Sequence, residues 1–99
     1  MRYTLSMIAN FKCSETEKIF NGIQSRKLPV NIQSVARRKL RMLNNSVNLD
    51  DLRIPPANRL ESLEGKRKGQ HSIRINKQWR VCFVWNNGNP EKVEIVDYH

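Results

Sequence analysis

The hydrophobic period changes about two-thirds of the way along this chain, and that change limits the folds open to it. Between Ser14 and Asn45 apolar residues recur at helical spacing; from His71 onward they alternate. His71-Ser-Ile-Arg-Ile-Asn and Trp79-Arg-Val-Cys-Phe-Val-Trp put Ile73 and Ile75, then Trp79, Val81, Phe83 and Trp85, on one face of two strands, with Asn76-Lys77-Gln78 as a tight connection. Asn86-Asn-Gly-Asn-Pro90 is a turn signal, after which Lys92-Val-Glu-Ile-Val-Asp97 returns as a third strand. Helices first and a strand meander afterwards predict an α+β fold, with a helical hairpin resting on one face of a small antiparallel sheet.

Within the first part, Met7-Ile8-Ala9-Asn10-Phe11-Lys12 alternates and reads as an opening strand. Ser14 followed by Glu17 has the spacing of a capping box and predicts a short helix with Ile19, Phe20 and Ile23 as its apolar side, ending near Gly22. Pro29-Val30-Asn31 signals a second start. Ile32, Val35, Ala36, Leu40 and Leu43 then mark a longer helix to Asn44-Asn45, whose other face carries Arg37, Arg38, Lys39 and Arg41. Pro55-Pro56 makes Asp50 to Asn58 an extended or turning connection without regular helix. Leu60 and Leu63 then anchor either one turn or a short strand. No repeat or linker divides the chain, so residues 7–99 read as one domain and residues 1–6 as an N-terminal extension.

Charge narrows the function. The 99 residues include 18 Lys+Arg against 9 Asp+Glu, a formal charge of +9, which points to a polyanion or an acidic protein as partner. No apolar run approaches the roughly 20 residues of a membrane helix, and the N-terminus lacks the apolar core of a signal peptide, so the cytoplasm is the expected compartment. Cys13 and Cys82 stand far apart without a CxxC pair, so no disulfide scaffold or thiolate zinc site is expected. From Gly65 through Val84 there are six basic residues, Lys66, Arg67, Lys68, Arg74, Lys77 and Arg80, and no acid. Arg74 and Arg80 are out of phase with the apolar strand residues and should face away from the helices. Such a strip can neutralise several phosphates. Competing roles are ordinary: Arg74 and Arg80 could pair with Glu94 across the strands, and Lys66, Lys68 and the helix arginines could be solvated. Trp79 and Trp85 are expected in the core, His71 as a strand residue and Glu61 as a solvated acid.

The chain ends Asp97-Tyr98-His99, next to the predicted guanidinium face. A carboxylate, a phenol and an imidazole beside arginines are the types that serve phosphodiester cleavage: one group takes a proton from a ribose 2′-OH, another protonates the leaving 5′-oxygen, and cations stabilise the phosphate. With arginines in that role no metal is obligatory.

The run from Asn58 through Gly65-Lys-Arg-Lys-Gly69 to Asn76, then Gln78-Trp-Arg-Val-Cys-Phe-Val-Trp and Val93-Glu-Ile-Val-Asp-Tyr-His, resembles the HigB branch of the RelE/ParE toxin superfamily. Met7-Ile-x-x-Phe, Arg37-Arg-Lys-Leu-x-Met-Leu and Asp51-Leu-Arg-x-Pro-Pro are similar too, and the likeness covers about Met7 to His99. The resemblance implies a RelE-like fold and the toxin half of a toxin–antitoxin pair: a ribosome-dependent endoribonuclease that cuts mRNA without a cofactor. It also implies neutralisation by a HigA-type helix-turn-helix antitoxin, with operator DNA reached through that antitoxin. Carried onto this sequence, it implies catalytic roles for Arg74, Arg80, Asp97, Tyr98 and His99, and RNA or ribosome contacts for Arg67, with Lys66, Lys68, Lys77, Arg37, Arg38 and Arg41 as further basic candidates. Where some members carry a histidine before the Gly-rich loop, this chain reads Leu60-Glu61-Ser62-Leu63, leaving the base to either Glu61 or the pair Tyr98 and His99. Residues 1–6 have no counterpart in the usual family start, which leaves Met1 and Met7 as alternative starts. Two other readings compete: a ParE-like, non-enzymatic gyrase inhibitor acting through the helical hairpin, and a basic RNA-binding module that cleaves nothing.

Overall fold

A computed structural model describes residues 7–98; the proposed extension at residues 1–6 and the candidate His99 lie outside the described residues. Two helices, α1 (Ser14–Phe20) and α2 (Val30–Asn45), precede four strands, β1 (Glu61–Ser62), β2 (Gln70–Arg74), β3 (Trp79–Asn86) and β4 (Asn89–Asp97). The strands form one sheet in the order β1-β2-β3-β4, each pair antiparallel. The expected α+β architecture and the open element around Leu60 and Leu63 are thereby resolved: a two-residue edge strand lies between those leucines.

Alternation builds the single core. Ile73, Ile75, Val81, Phe83, Val93 and Ile95 meet Ile19 of α1 and Ile32, Ala36, Leu40 and Leu43 of α2, with Trp79 and Trp85 packed at the margin. Fully burying a side chain such as Leu40, Leu43 or Phe83 contributes about 1.5–3 kcal/mol. Leu52 adds to this core from a 3-10 turn at Leu49–Arg53, whose N-terminus is closed by a capping box between Asn48 and Asp51. A second such turn follows at Pro56–Asn58, in keeping with the expected absence of regular helix there. Thr16 ties α1 to the sheet, its Oγ1 accepting from the Ile95 amide at 2.9 Å.

Four local expectations are corrected. The opening strand is reduced to a single parallel bridge, Phe11 to Val93, supported by Ala9 and Lys12 amides donating to the Pro90 and Val93 carbonyls. Its backbone departs after Lys12 into the extended N-cap Cys13, which leaves too little length for a ladder. The Ser14–Glu17 capping box does not form, because Cys13 is the N-cap and Ser14 is already inside the helix. Ile23 is 55% exposed: Gly22, at φ +81°, has turned the chain off the helix before it. Lys39 is only 6% exposed and belongs to the inner face of α2. Its Nζ donates to Oδ1 of the fully buried Asn58 at 2.6 Å.

Beyond α1 the chain is held by Ser25, also buried. Its hydroxyl donates to Glu15 at 2.6 Å and accepts from the Lys27 and Leu28 amides, while the Gln33 side chain bonds the Ser25 backbone both ways. The β3–β4 ladder shifts register between Cys82 and Val84. Lys92 absorbs the extra residue at φ +52° and donates its amide to Asn10 Oδ1.

Candidate functional site

Because paired residues share a face, the register aligns Glu61, Ser72, Cys82 and Glu94 in one row across all four strands. This row is on the face turned away from the helices. Arg80 lies next to it, opposite Arg74 on β2 and Val96 on β4, so the parity argument from Val81 and Phe83 placed both arginines correctly.

Arg80 is the most constrained charge on this face, with 8% of its surface exposed. Its Nε donates to Ser72 Oγ at 2.7 Å, and Nη2 donates to the carbonyls of Ser72 and Arg59. Arg59 presents that carbonyl from a left-handed conformation, φ 46°, at the end of the Pro56–Asn58 turn. Glu61 Oε1 stands 3.7 Å from Nη2, and the Tyr98 ring centroid lies 5.7 Å from the guanidinium carbon. Nη1 bonds to no described residue, which leaves one nitrogen of a rigidly held cation without a protein acceptor. Glu61 and Tyr98 are themselves exposed, and the Tyr98 amide donates to the Gln78 carbonyl, which anchors the strand end.

The remaining candidates divide by geometry. Arg67 is held by Gln70 at 3.0 Å and by Glu94 at 3.2 Å; Glu94 also has Lys12 at 3.6 Å. The alternative pairing of Arg74 or Arg80 with Glu94 is therefore replaced by pairing with Arg67 and Lys12. Arg74 is half-buried and its guanidinium bonds to no described residue; it extends to where β2 ends beside α2, in a cleft shared with Arg38 and Lys39. Lys66 and Lys68 are exposed around a 3-10 turn at Gly65–Arg67. Gly65 and Gly69, at φ +65° and +95°, have open space where a side chain would project, so a ligand can approach that backbone. Lys77 is exposed in the β2–β3 turn. Arg37, Arg38 and Arg41 line a groove with Ser34 on the outer side of α2, away from the Arg80 face.

Asp97 lies apart from Tyr98. Strand alternation puts it in register with Trp79, and its Oδ2 accepts from Gln78 Nε2 at 3.1 Å. The structure thus brings together Arg80, Glu61 and Tyr98, with Arg74 adjacent, and sets Asp97 on the other strand phase. Sequence reasoning passed over Ser72 and the Arg59 carbonyl, which fix Arg80. A small polar residue in the same phase as Arg74 was the signal for Ser72; a backbone carbonyl leaves none.

Two titratable neighbours are unsuited to proton transfer here. Burial pushes the Cys82 thiol up, with Arg67 and Arg80 pulling the other way, so it remains protonated beneath the arginines. Burial also lowers the His71 imidazole, whose ring packs 5.9 Å from Phe83 on the helix-facing side. Among the described residues, no group of three or more His, Cys, Asp or Glu side chains could hold a metal ion.

Comparison with known proteins identifies the family of the chain. Toxin HigB-1 of Vibrio cholerae serotype O1 is 42% identical over 83 residues, 83% of this chain and 87% of that protein. Endoribonuclease HigB of Proteus vulgaris is 25% identical over 93 residues, 94% of this chain and all of that protein. Among solved structures, YafQ from E. coli superposes with a TM-score of 0.55 and a YafQ mutant with 0.58; each is 14% identical and covers 93% of this chain and 92% of its own, a likeness of fold. Residues 9–99 match the family of RelE-like toxins of type II toxin–antitoxin systems typified by HigB, and with the V. cholerae relative this establishes that the chain belongs to the HigB-like toxin family.

Proposed function

We propose that the chain is an endoribonuclease that cuts mRNA on the translating ribosome and is neutralised by a HigA-type antitoxin. The observation that carries the reading is Arg80: a nearly buried cation, immobilised by three acceptors beside Glu61 and Tyr98, with one nitrogen left without a described protein acceptor. The name of the P. vulgaris relative, aligned along its full length, supports RNA cleavage. In the proposed reaction the ribose 2′-oxygen attacks the adjacent phosphorus and its proton passes to a base, Glu61 or the Tyr98–His99 pair. The P–O5′ bond breaks, the 5′-oxygen takes up a proton, and a 2′,3′-cyclic phosphate remains. Arg80 and Arg74 stabilise the charge that grows on the phosphate oxygens, a preorganised contribution commonly about 10²–10³-fold per donor. Since guanidinium groups supply this charge, the proposed reaction proceeds in EDTA.

The face is open, which favours a substrate held by a larger body; Lys66, Arg67, Lys68 and Lys77 rim it, and Arg37, Arg38 and Arg41 offer a second basic surface to ribosomal RNA. Toeprinting on translating ribosomes tests the proposal. New mRNA ends within the A-site codon, strongly reduced by Arg80→Ala and suppressed by the antitoxin, are expected. Arrest of growth with intact mRNA and broken DNA would replace it with the gyrase-inhibitor reading.

A further inference from the structure

The cleft between α2 and the end of β2 has a volume of about 380 Å³, and its cationic walls come from Arg38, Lys39 and Arg74. No ion pair joins any of the three to a carboxylate among the described residues. Lys39 is the unusual member, an ammonium group 6% exposed whose sole described acceptor is the Asn58 amide oxygen. Burying a charge without a counter-charge is costly, and the neighbouring Arg38 raises that cost. Both effects depress the ammonium's pKa, burial more than Arg38. The structure carries this penalty beside a cleft that Lys39 lines together with Arg38 and Arg74. Its other walls are the apolar Val35, Ala57 and Ile75, suited to a sugar or base, and the polar Asn76.

We infer that this cleft is a nucleotide-phosphate subsite, separate from the Arg80 centre and linked to it by Arg74. Arg74 and Arg80 stand in register on adjacent strands, so an RNA chain whose scissile phosphate lies at these two arginines can direct its next phosphate into the cleft beyond Arg74. Arg38 and Lys39 then complete the second position from the helix. The assignment of the chain to RNA rests on the proposed function; the anion site itself rests on the cleft.

Binding, measured apart from cleavage, distinguishes the two. Full-length protein is titrated with an uncleavable 2′-O-methyl pentanucleotide and with uridine monophosphate, following the amides of Ala57, Ile75 and Asn76 by NMR. Both ligands should shift these signals. Saturation at lower concentration by the pentanucleotide assigns the site to an RNA chain, whereas tighter binding of the monophosphate assigns it to a free nucleotide. Lys39→Met and, on the exposed side, Arg38→Gln should each weaken binding of the preferred ligand about tenfold, and on RNA should reduce the salt slope by about 0.7. Arg38→Gln keeps the test valid if Lys39→Met fails to fold. Unmoved amides with both ligands, a response to polyglutamate alone, or wild-type affinity in both variants would overturn the subsite. Absence of ribosomal cleavage by the unaltered protein, with the amide shifts intact, would overturn only the proposed function.

Discussion

Replacing Ser72 with alanine removes one oxygen and asks whether Arg80 is actively held. Ser72 is fully buried, and its hydroxyl accepts from Nε of an arginine side chain that is 9% exposed. A hydrogen bond to a charged group contributes about 1.5–3 kcal/mol, and the cost of losing it is governed by the unpaired buried N–H left behind. The Ser72 and Arg59 carbonyls still hold Nη2, so the lower part of that range applies. We expect a loss of about 1.5–2 kcal/mol, a fall in Tm of roughly 6–16 °C for a domain of this size. The control is a double-mutant cycle with Arg80→Met. With the cation gone, Ser72→Ala should cost less than about 0.5 kcal/mol, giving a coupling of about 1 kcal/mol or more. Urea unfolding of the four proteins measures it. Additivity within about 0.3 kcal/mol would refute the claim that Ser72 positions Arg80.

Other consequences are as direct. The folded-state pKa of His71 lies below its ordinary 6.5, so the unfolded chain takes up this proton first; its contribution is fully present above pH 6.5 and is lost as pH falls through the folded value, a slope that His71→Phe should abolish in urea titrations at successive pH values. Glu94→Gln should release Arg67 and Lys12, strengthen RNA binding several-fold and steepen its salt dependence, measured by fluorescence anisotropy. Gly22→Ala should cost about 1–2 kcal/mol by thermal unfolding, since φ is +81° and the new methyl would meet the Arg37 guanidinium at 3.2 Å.

What the sequence disclosed depended on whether the interaction had a period. Ile73 to Trp85 fixed the strand faces, and that parity alone put Arg74 and Arg80 on the face turned away from the helices; the strand register then sets them opposite each other. The stripe of α2 was equally legible, and Lys39 lies on it, three residues after Ala36 and four before Leu43; grouping it by charge with Arg37, Arg38 and Arg41 obscured this. The same alternation separates Asp97 from Tyr98, although adjacency in the terminal triplet suggested one cluster. Pairing of Arg67 with Glu94, and of Arg80 with the Arg59 carbonyl, spans loops whose path no local pattern encodes. The opening segment failed as a strand for a related reason: alternation at Met7 to Lys12 says nothing about the length of partner available.

That segment has a mechanical role nevertheless. A four-stranded open sheet has two edges at which a foreign strand can add. One is β1, two residues long and carrying the charge of Glu61; the other is β4, where residues 9–12 already occupy backbone groups of Pro90 and Val93. A partner seeking to extend the sheet along that part of β4 must first peel away residues 9–12, so this short segment guards the edge against strand addition.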